Sequence, residues 1–462
     1  MRGLSSPVPA TGRPAVVASL VRPSVAAGNR SGDALVSRRW VRLVHRARRR
    51  AGATAQRVPG LRRRWEQRPD PAEPLVKAIS AELATGELDR GHQLAEHGSR
   101  SRPDHIQLQD LLIASLDHRD EFEQALELCV ENAARRIRWL DRRRVTARYP
   151  RRLDQSQRIF LAGYFRSGSS AVLDYLRGGA GVTNWTPAGE MRLLKAPGGV
   201  ADLVARCQTQ GGLTDRDLVD FYLHLTGWKL TRHPPGTFHA RDVVNRNSAA
   251  LFRIRRAYGY LRTCLECFLE LADLTASTRP TVADLEVFFR DAVGRALDAA
   301  AADAAAEVVL VDQAINAWRL PLSRFLPPST FVIVHRDPRD QYVDVRQVQQ
   351  KPGRTPTTAE RFTHDYRRNR TRADRDIPRI AHRYGHRCVR LSFEDFVLDH
   401  QRQAHQLLAS LALPRPLRGR GHYLPRQGRD GIGQHIAMLS PSELATLTES
   451  LPEYLDHRIA AR

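Results

Sequence analysis

Several stretches of the chain carry side chains suited to holding anions and moving a proton. Residues 158–177 read RIFLAGYFRSGSSAVLDYLR. Ile159–Ala162 is a short apolar run fit for a buried parallel strand, and Ala171–Leu176 opens a helix. The loop between them, Gly163–Ser170, is small, polar and glycine-bearing. A loop running from strand to helix start aims backbone N–H groups and the positive end of the helix dipole at one spot, which makes a phosphate site. Gly168 lets the backbone approach an anion closely. Ser169 and Ser170 add hydroxyl donors, and Arg166 adds a charge inside the loop. A second anion site is expected in residues 330–346, TFVIVHRDPRDQYVDVR. Phe331–His335 has a buried-strand pattern, Pro338 ends it, and the Asp-Arg neighbours tie the turn. Arg336, at the carboxyl end of a strand and beside a helix start, is placed to hold a phosphate with two parallel N–H donors.

The first loop is spaced GxxxxG and is followed by Ser-Ser, so it lacks the lysine of a Walker A motif. That argues against an ATPase or GTPase and for a phosphate donor of different shape. VVLVDQAIN (308–316) is a third strand-and-turn, with Asp312 at the end of its apolar run. Cys264-x-x-Cys267 has no second Cys/His pair at suitable spacing and lies in an apolar helical run, so it reads as core rather than as a zinc site. His233 and His239 flank Pro-Pro-Gly in a loop and are either contacts to a second substrate, the acceptor, or solvated loop histidines.

GYFRSGSSAVLDYL resembles the 5′-phosphosulfate loop of sulfotransferases that use 3′-phosphoadenosine 5′-phosphosulfate (PAPS), with Ser169 and Ser170 where the family has two threonines. RDPRD resembles the family's 3′-phosphate segment, which implies Arg336 as a 3′-phosphate ligand. The family usually has a Ser eight residues after that Arg. Here Asp344 stands there, a carboxylate that repels phosphate unless a cation intervenes, and Arg346 is the candidate to take the role or to neutralise it. Gly189-Glu190 lies 24 residues after Arg166, about where tyrosylprotein sulfotransferases and bacterial relatives carry a Gly-Glu pair whose Glu is the catalytic base. The resemblance therefore implies Glu190 as base, with Asp312 as second choice. RCVRLSFEDFVLD (387–399) is similar to the family's Tyr-Glu-Asp segment, with Phe393 in place of Tyr and with Glu394 and Asp395 expected to be structural. GRDGIGQHIAMLSPSELATL (428–447) is similar to its carboxyl-terminal Gly-rich loop. Gly431 and Gly433 are expected to close over the nucleotide, and Arg429, or Arg426, to reach the 3′-phosphate.

These motifs span about 157–457 and imply a three-layer α/β fold of P-loop type, a parallel sheet with helices on both faces and ligands at the strand carboxyl ends. Residues 155–462 form the expected sulfotransferase domain, with 200–305 as a helical insertion roofing the acceptor cleft. Residues 75–145 read as helices. GELDRGHQLAEHG (86–98) and DEFEQALELCVEN (120–132) align at an offset of 34, which resembles tetratricopeptide repeats, a surface for a protein partner; a plain helical bundle leaning on the next domain is the alternative. A basic linker, Arg135–Arg152, follows. Residues 1–74 read as a basic arm. Arg38–Arg64 holds eleven Arg and no acid, and is either a solvated arm or an amphipathic helix touching anionic membrane.

The chain has 462 residues, 73 Lys plus Arg against 50 Asp plus Glu, and a formal charge of +23. Such a field favours anionic partners. Only four of the basic residues are Lys, a coding-bias signature that blunts the inference. A hydrophobic fraction of 42% excludes wholesale disorder. No apolar run reaches the roughly 18 residues of a membrane span, and the Pro-rich start does not read as a secretory signal. Five widely spaced cysteines fit a reducing cytoplasm. The reading is thus a metal-independent, PAPS-dependent sulfotransferase acting on a hydroxyl of a carbohydrate or small molecule, with no nucleic-acid partner. A P-loop-type kinase or NTPase, and a non-catalytic scaffold with a degenerate domain, are the alternatives.

Overall fold

Five short runs form one sheet in the computed structural model, which describes residues 71–144, 156–164, 166–185, 191, 193–195, 198–227, 258–349, 357–413 and 423–456. The strands are β1 (Gln157–Gly163), β2 (Val182–Asn184), β3 (Val308–Asp312), β4 (Thr330–His335) and β5 (Arg387–Ser392). They are all parallel, in the order β2-β3-β1-β4-β5. Before β1 come helices α1 (Glu73–Thr85), α2 (Leu88–Ser101), α3 (Ile106–His118) and α4 (Phe122–Arg144). Between β1 and β3 come α5 (Ser169–Leu176), α6 (Val200–Gln210), α7 (Asp215–Thr226), α8 (Tyr258–Ser277) and α9 (Val282–Ala304). After β4 follow α10 (Pro338–Gln349), α11 (Ala359–Tyr384), α12 (Phe393–Leu398), α13 (His400–Ser410), α14 (Pro425–Arg429), α15 (Gln434–Met438) and α16 (Pro441–Ser450).

The central strands carry uninterrupted apolar runs, Ile159–Ala162, Val308–Val311 and Phe331–Val334, because both faces are covered. Their side chains alternate between two cores. Phe160, Ala162, Val309, Val311, Phe331 and Ile333 enter the larger core with α9 and α11. Ile159, Leu161, Leu310, Val332 and Val334 enter the smaller one with α5, α12 and α13. This is the three-layer α/β arrangement expected from the sequence. β1 lies between β3 and β4, with Gly163 level with Val334, so the loops after β1 and β4 leave the same end of the sheet side by side.

The helical region packs against the sheet domain, as in the alternative of a helical bundle leaning on the next domain. Its buried side chains, such as Ile79 and Leu111, belong to the same cluster as Tyr222, Phe268 and Phe160. A buried ion pair, Arg136–Asp110, joins α4 to α3. The Tyr222 hydroxyl of α7 donates to Asp110 Oδ1 at 3.1 Å, and Asn132 Nδ2 donates to it at 2.8 Å. The segment expected as a linker is therefore helical through Arg144, because Arg136, Ile137 and Leu140 turn into this core. Gly91 and Ala125, equivalent in the 34-residue alignment, are both buried. Among the described residues no helix is long and apolar enough to cross a membrane. The basic arm, His233 and His239 lie outside the described residues.

Candidate functional site

The loop after β1 turns on two glycines. Ser167 folds back over Gly163, where a Cβ would stand 2.3 Å from the Ser167 Oγ, and its N–H donates to the Tyr164 carbonyl at 2.9 Å. Gly168 then takes a left-handed φ of +85° as the N-cap of α5. The Ser167 hydroxyl is buried and has no hydrogen-bond partner among the described residues. Such a group costs about 1–3 kcal/mol unless a ligand satisfies it. Ser169 is buried and accepts from Gln313 Nε2 at 2.7 Å, while Arg166 and Ser170 are exposed.

Arg336 joins this loop to the rest of the site. It is 5% exposed. Its Nη1 donates to the Arg166 carbonyl at 3.3 Å and to Asp344 Oδ2 at 2.5 Å, and its Nη2 donates to the Gly431 carbonyl. Its Nε–H is buried without a partner among the described residues. The guanidinium lies over the Phe393 ring, 5.1 Å from its centroid. The two segments expected to bind anions, 170 positions apart in sequence, are thus contiguous. The resemblance implied that the two segments serve one ligand; the contact of Arg336 with Gly431, 95 positions away, is what the sequence did not show.

The remaining RDPRD side chains are structural. Arg339 forks onto Asp337, Nε to Oδ1 at 3.0 Å and Nη2 to Oδ2 at 2.7 Å. Asp340 accepts from Gly433 N at 2.7 Å and His435 N at 3.0 Å, and pairs with His435 Nδ1 at 2.7 Å, which pins the Gly-rich segment to the start of α10. Burial raises the Asp340 carboxyl, but the bonds from His435 and Gly433 outweigh it and hold it below the usual carboxylate range. Glu394 Oε1 accepts the Asp337 N–H at 2.8 Å, and Oε2 accepts from the Ser392 hydroxyl at 3.0 Å. Burial pushes Glu394 up to about 7, against the lowering effect of the Asp337 N–H.

Arg346, expected beside Asp344 or a phosphate, is instead held by both carboxylate oxygens of Glu443 at 3.0 Å and by the Met438 carbonyl. Glu443, in the capping box of α16 with Ser440, presents the carboxylate that draws it. Arg429 is exposed on α14. Asp312 is buried at the end of β3, where its carbonyl accepts the Met191 N–H at 2.9 Å. Gly189 and Glu190 lie outside the described residues.

Sequence reasoning missed Gln313, which orients Ser169 and has a left-handed φ of +48°. Its place directly after Asp312, the last residue of β3, is the signal that points to it. It also missed His335, which ends β4. Burial, with Arg370 and Arg390 nearby, pushes His335 down to about 4, so the ring is neutral at neutral pH. Among the described residues no three His, Cys, Asp or Glu side chains gather as metal ligands. Cys264 and Cys267 are buried in α8, and burial pushes the Cys264 thiol up to about 12.

Against models of protein families, residues 158–416, more than half of the chain, match the model described as the sulfotransferase family. Among solved structures, the sulfotransferase STF1 from Mycobacterium tuberculosis H37Rv is similar at 12% identity and a TM-score of 0.31, over 83% of this chain and 99% of that one. No curated protein matches the chain.

Proposed function

The chain belongs to the sulfotransferase family, and from that premise we propose that it transfers a sulfonate group from PAPS to a hydroxyl of a glycan or small-molecule acceptor. The observation that carries the reading is the bond from Arg336 Nη1 to the Arg166 carbonyl. It joins the anion-binding ends of β1 and β4 into one surface, suited to a single ligand with two phosphates. The unsatisfied Ser167 hydroxyl and Arg336 Nε–H are the buried donors such a ligand would complete.

In this reading the N–H groups of residues 168–170, the Ser167, Ser169 and Ser170 hydroxyls and Arg166 hold the 5′-phosphate and the sulfonate; of the expected 167–170 amides, that of Ser167 is taken by the Tyr164 carbonyl. They offset charge that grows on the bridging oxygen. Arg336 takes the 3′-phosphate, with Arg429 at the rim. Arg346 stands outside the set because Glu443 holds it. Glu190 accepts the acceptor's proton as the acceptor oxygen bonds to sulfur. The bond from sulfur to the bridging oxygen breaks, and 3′,5′-ADP leaves with the electron pair. Support for Glu190 comes from its surroundings: Trp185 N–H donates to the Leu310 carbonyl and Met191 N–H to the Asp312 carbonyl, each at 2.9 Å. Both flanks of residues 186–190 are therefore tied to the carboxyl half of β3.

Radiolabelled PAPS offered with panels of sugars, phenols, lipids and peptides tests the reading. A labelled ester formed with one of them is the expected result. Stabilisation of the protein by Mg-ATP but not by 3′,5′-ADP in a thermal melt overturns it in favour of a kinase or NTPase.

A further inference from the structure

We propose that Asp344 is a built-in competitor for the 3′-phosphate, so that the strength with which this site reads that phosphate is set by an internal carboxylate. The inference rests on the assignment of Arg336 to the 3′-phosphate made above.

Both Nη groups of Arg336 are engaged, and among the described residues only its Nε–H is without a partner. Its side chain is 4% exposed in the pair with Asp344. Nη1 is divided between Asp344 and the Arg166 carbonyl, and Nη2 is on the Gly431 carbonyl. The Phe393 ring covers one face of the guanidinium. A phosphate needs two neighbouring N–H donors to bind such a group in forked fashion. The two backbone carbonyls belong to the loops that build the site, whereas Asp344 is a side chain on the second turn of α10 with 28% of its surface exposed. It is the partner that can swing out without unmaking a loop. Side chains on a helix lean toward its amino terminus, so Asp344 is aimed back at Arg336 by the helix itself. The nearest other candidate to neutralise it, Arg346, is taken by Glu443. Carboxylate and phosphate therefore contend for one guanidinium, and two anions there repel unless one departs. The same contention weakens the hold on 3′,5′-ADP, which favours departure of the product.

The test is isothermal titration of the full chain with 3′,5′-ADP and with 5′-AMP, which differ only in the 3′-phosphate. The ratio of their dissociation constants measures how strongly that phosphate is read. In Asp344→Ser the ratio is expected to rise at least fivefold over the wild type, and the isosteric Asp344→Asn to move it the same way by the same amount. Thermal melts of both variants establish that they fold, and the near-isosteric Asn keeps the comparison available if Ser destabilises the chain. In an Arg336→Met background, Asp344→Asn should leave the ratio unchanged. A ratio that rises less than fivefold in the folded variants, or one that still rises without Arg336, overturns the proposal while leaving the donor assignment standing. Failure of wild type and variants alike to bind either nucleotide overturns both together.

Discussion

The Phe393 ring is packed so closely on Gly168 that a Cβ on the glycine would stand 2.2 Å from ring Cδ2. Gly168 also has a φ of +85°. Gly168→Ala must therefore strain the backbone and displace the ring that lies beneath Arg336. The expected cost is about 2–4 kcal/mol, from the left-handed conformation and overpacking together, with at least a tenfold loss of affinity for 3′,5′-ADP. Urea unfolding and titration measure the two. Adding Phe393→Ala should restore part of the stability; no recovery would show that the ring contact does not contribute.

Glu394 gives a pH dependence of unusual sign for a carboxylate. Its folded-state value, about 7, lies above the ordinary 4.5 because burial penalises the charge. Between those values the folded chain keeps a proton that the unfolded chain has released. The contribution is whole below about 4.5 and lost as pH rises to about 7, a loss on the order of 3 kcal/mol. Glu394→Gln keeps an acceptor for the Asp337 N–H and a donor for Ser392 but does not titrate. Urea midpoints at pH 5 and pH 8 should therefore fall more for the wild type than for the variant. Parallel curves would refute the assignment.

Asp340 ties the Gly-rich segment down through three bonds, to Gly433 N, His435 N and His435 Nδ1. Asp340→Ala leaves those donors buried and unanswered, a loss of about 2–4 kcal/mol. The effect should be local as well as global. Amide exchange in residues 431–438 is expected to quicken by more than tenfold, ahead of exchange in β1 and β4. Uniform acceleration across the sheet would mean that the segment is not held by Asp340.

The parts of the fold legible in the sequence are those where burial on both faces leaves an uninterrupted apolar run. That is why β1, β3 and β4 could be read from IFLA, VVLV and FVIV. β2 is three half-buried residues, Val182–Asn184, whose pairing with β3 carries no local pattern. β5 mixes Arg387 and Arg390 with Val389 and Leu391, because it lies at the sheet edge and its arginines reach solvent. The loop motifs were legible because backbone geometry demands small residues at particular spacings. Ion-pair partners were not. Arg336 finds Asp344 and Arg346 finds Glu443 through tertiary placement alone, and Arg136 was hidden inside a basic run that composition assigns to solvent.

Asp110 tests whether the helical region is separable. It is fully buried and answers Arg136, Asn132 and Tyr222 from two other helices. Asp110→Ala takes the carboxylate from a buried arginine, which costs about 3–5 kcal/mol. Pairing Asp110→Leu with Arg136→Met should recover part of that loss, since an apolar pair needs no counter-charge. The unfolding transition should stay single in both, because α4 and α7 share one core with the sheet. Two transitions would show an independently folding helical domain.

Glu190→Gln separates chemistry from binding. The substitution removes the proton acceptor but leaves the groups assigned to the nucleotide, the loop amides, Arg166 and Arg336, untouched. Affinity for 3′,5′-ADP should stay within about twofold of wild type. Transfer of label from PAPS to an acceptor should fall by about 100-fold to 10,000-fold, the span that general-base catalysis usually supplies. Asp312→Asn, the second candidate, should lower transfer far less if Glu190 is the base, and the order should reverse if Asp312 is. A fall in nucleotide affinity that matches the fall in transfer would mean that Glu190 positions the donor rather than taking the proton.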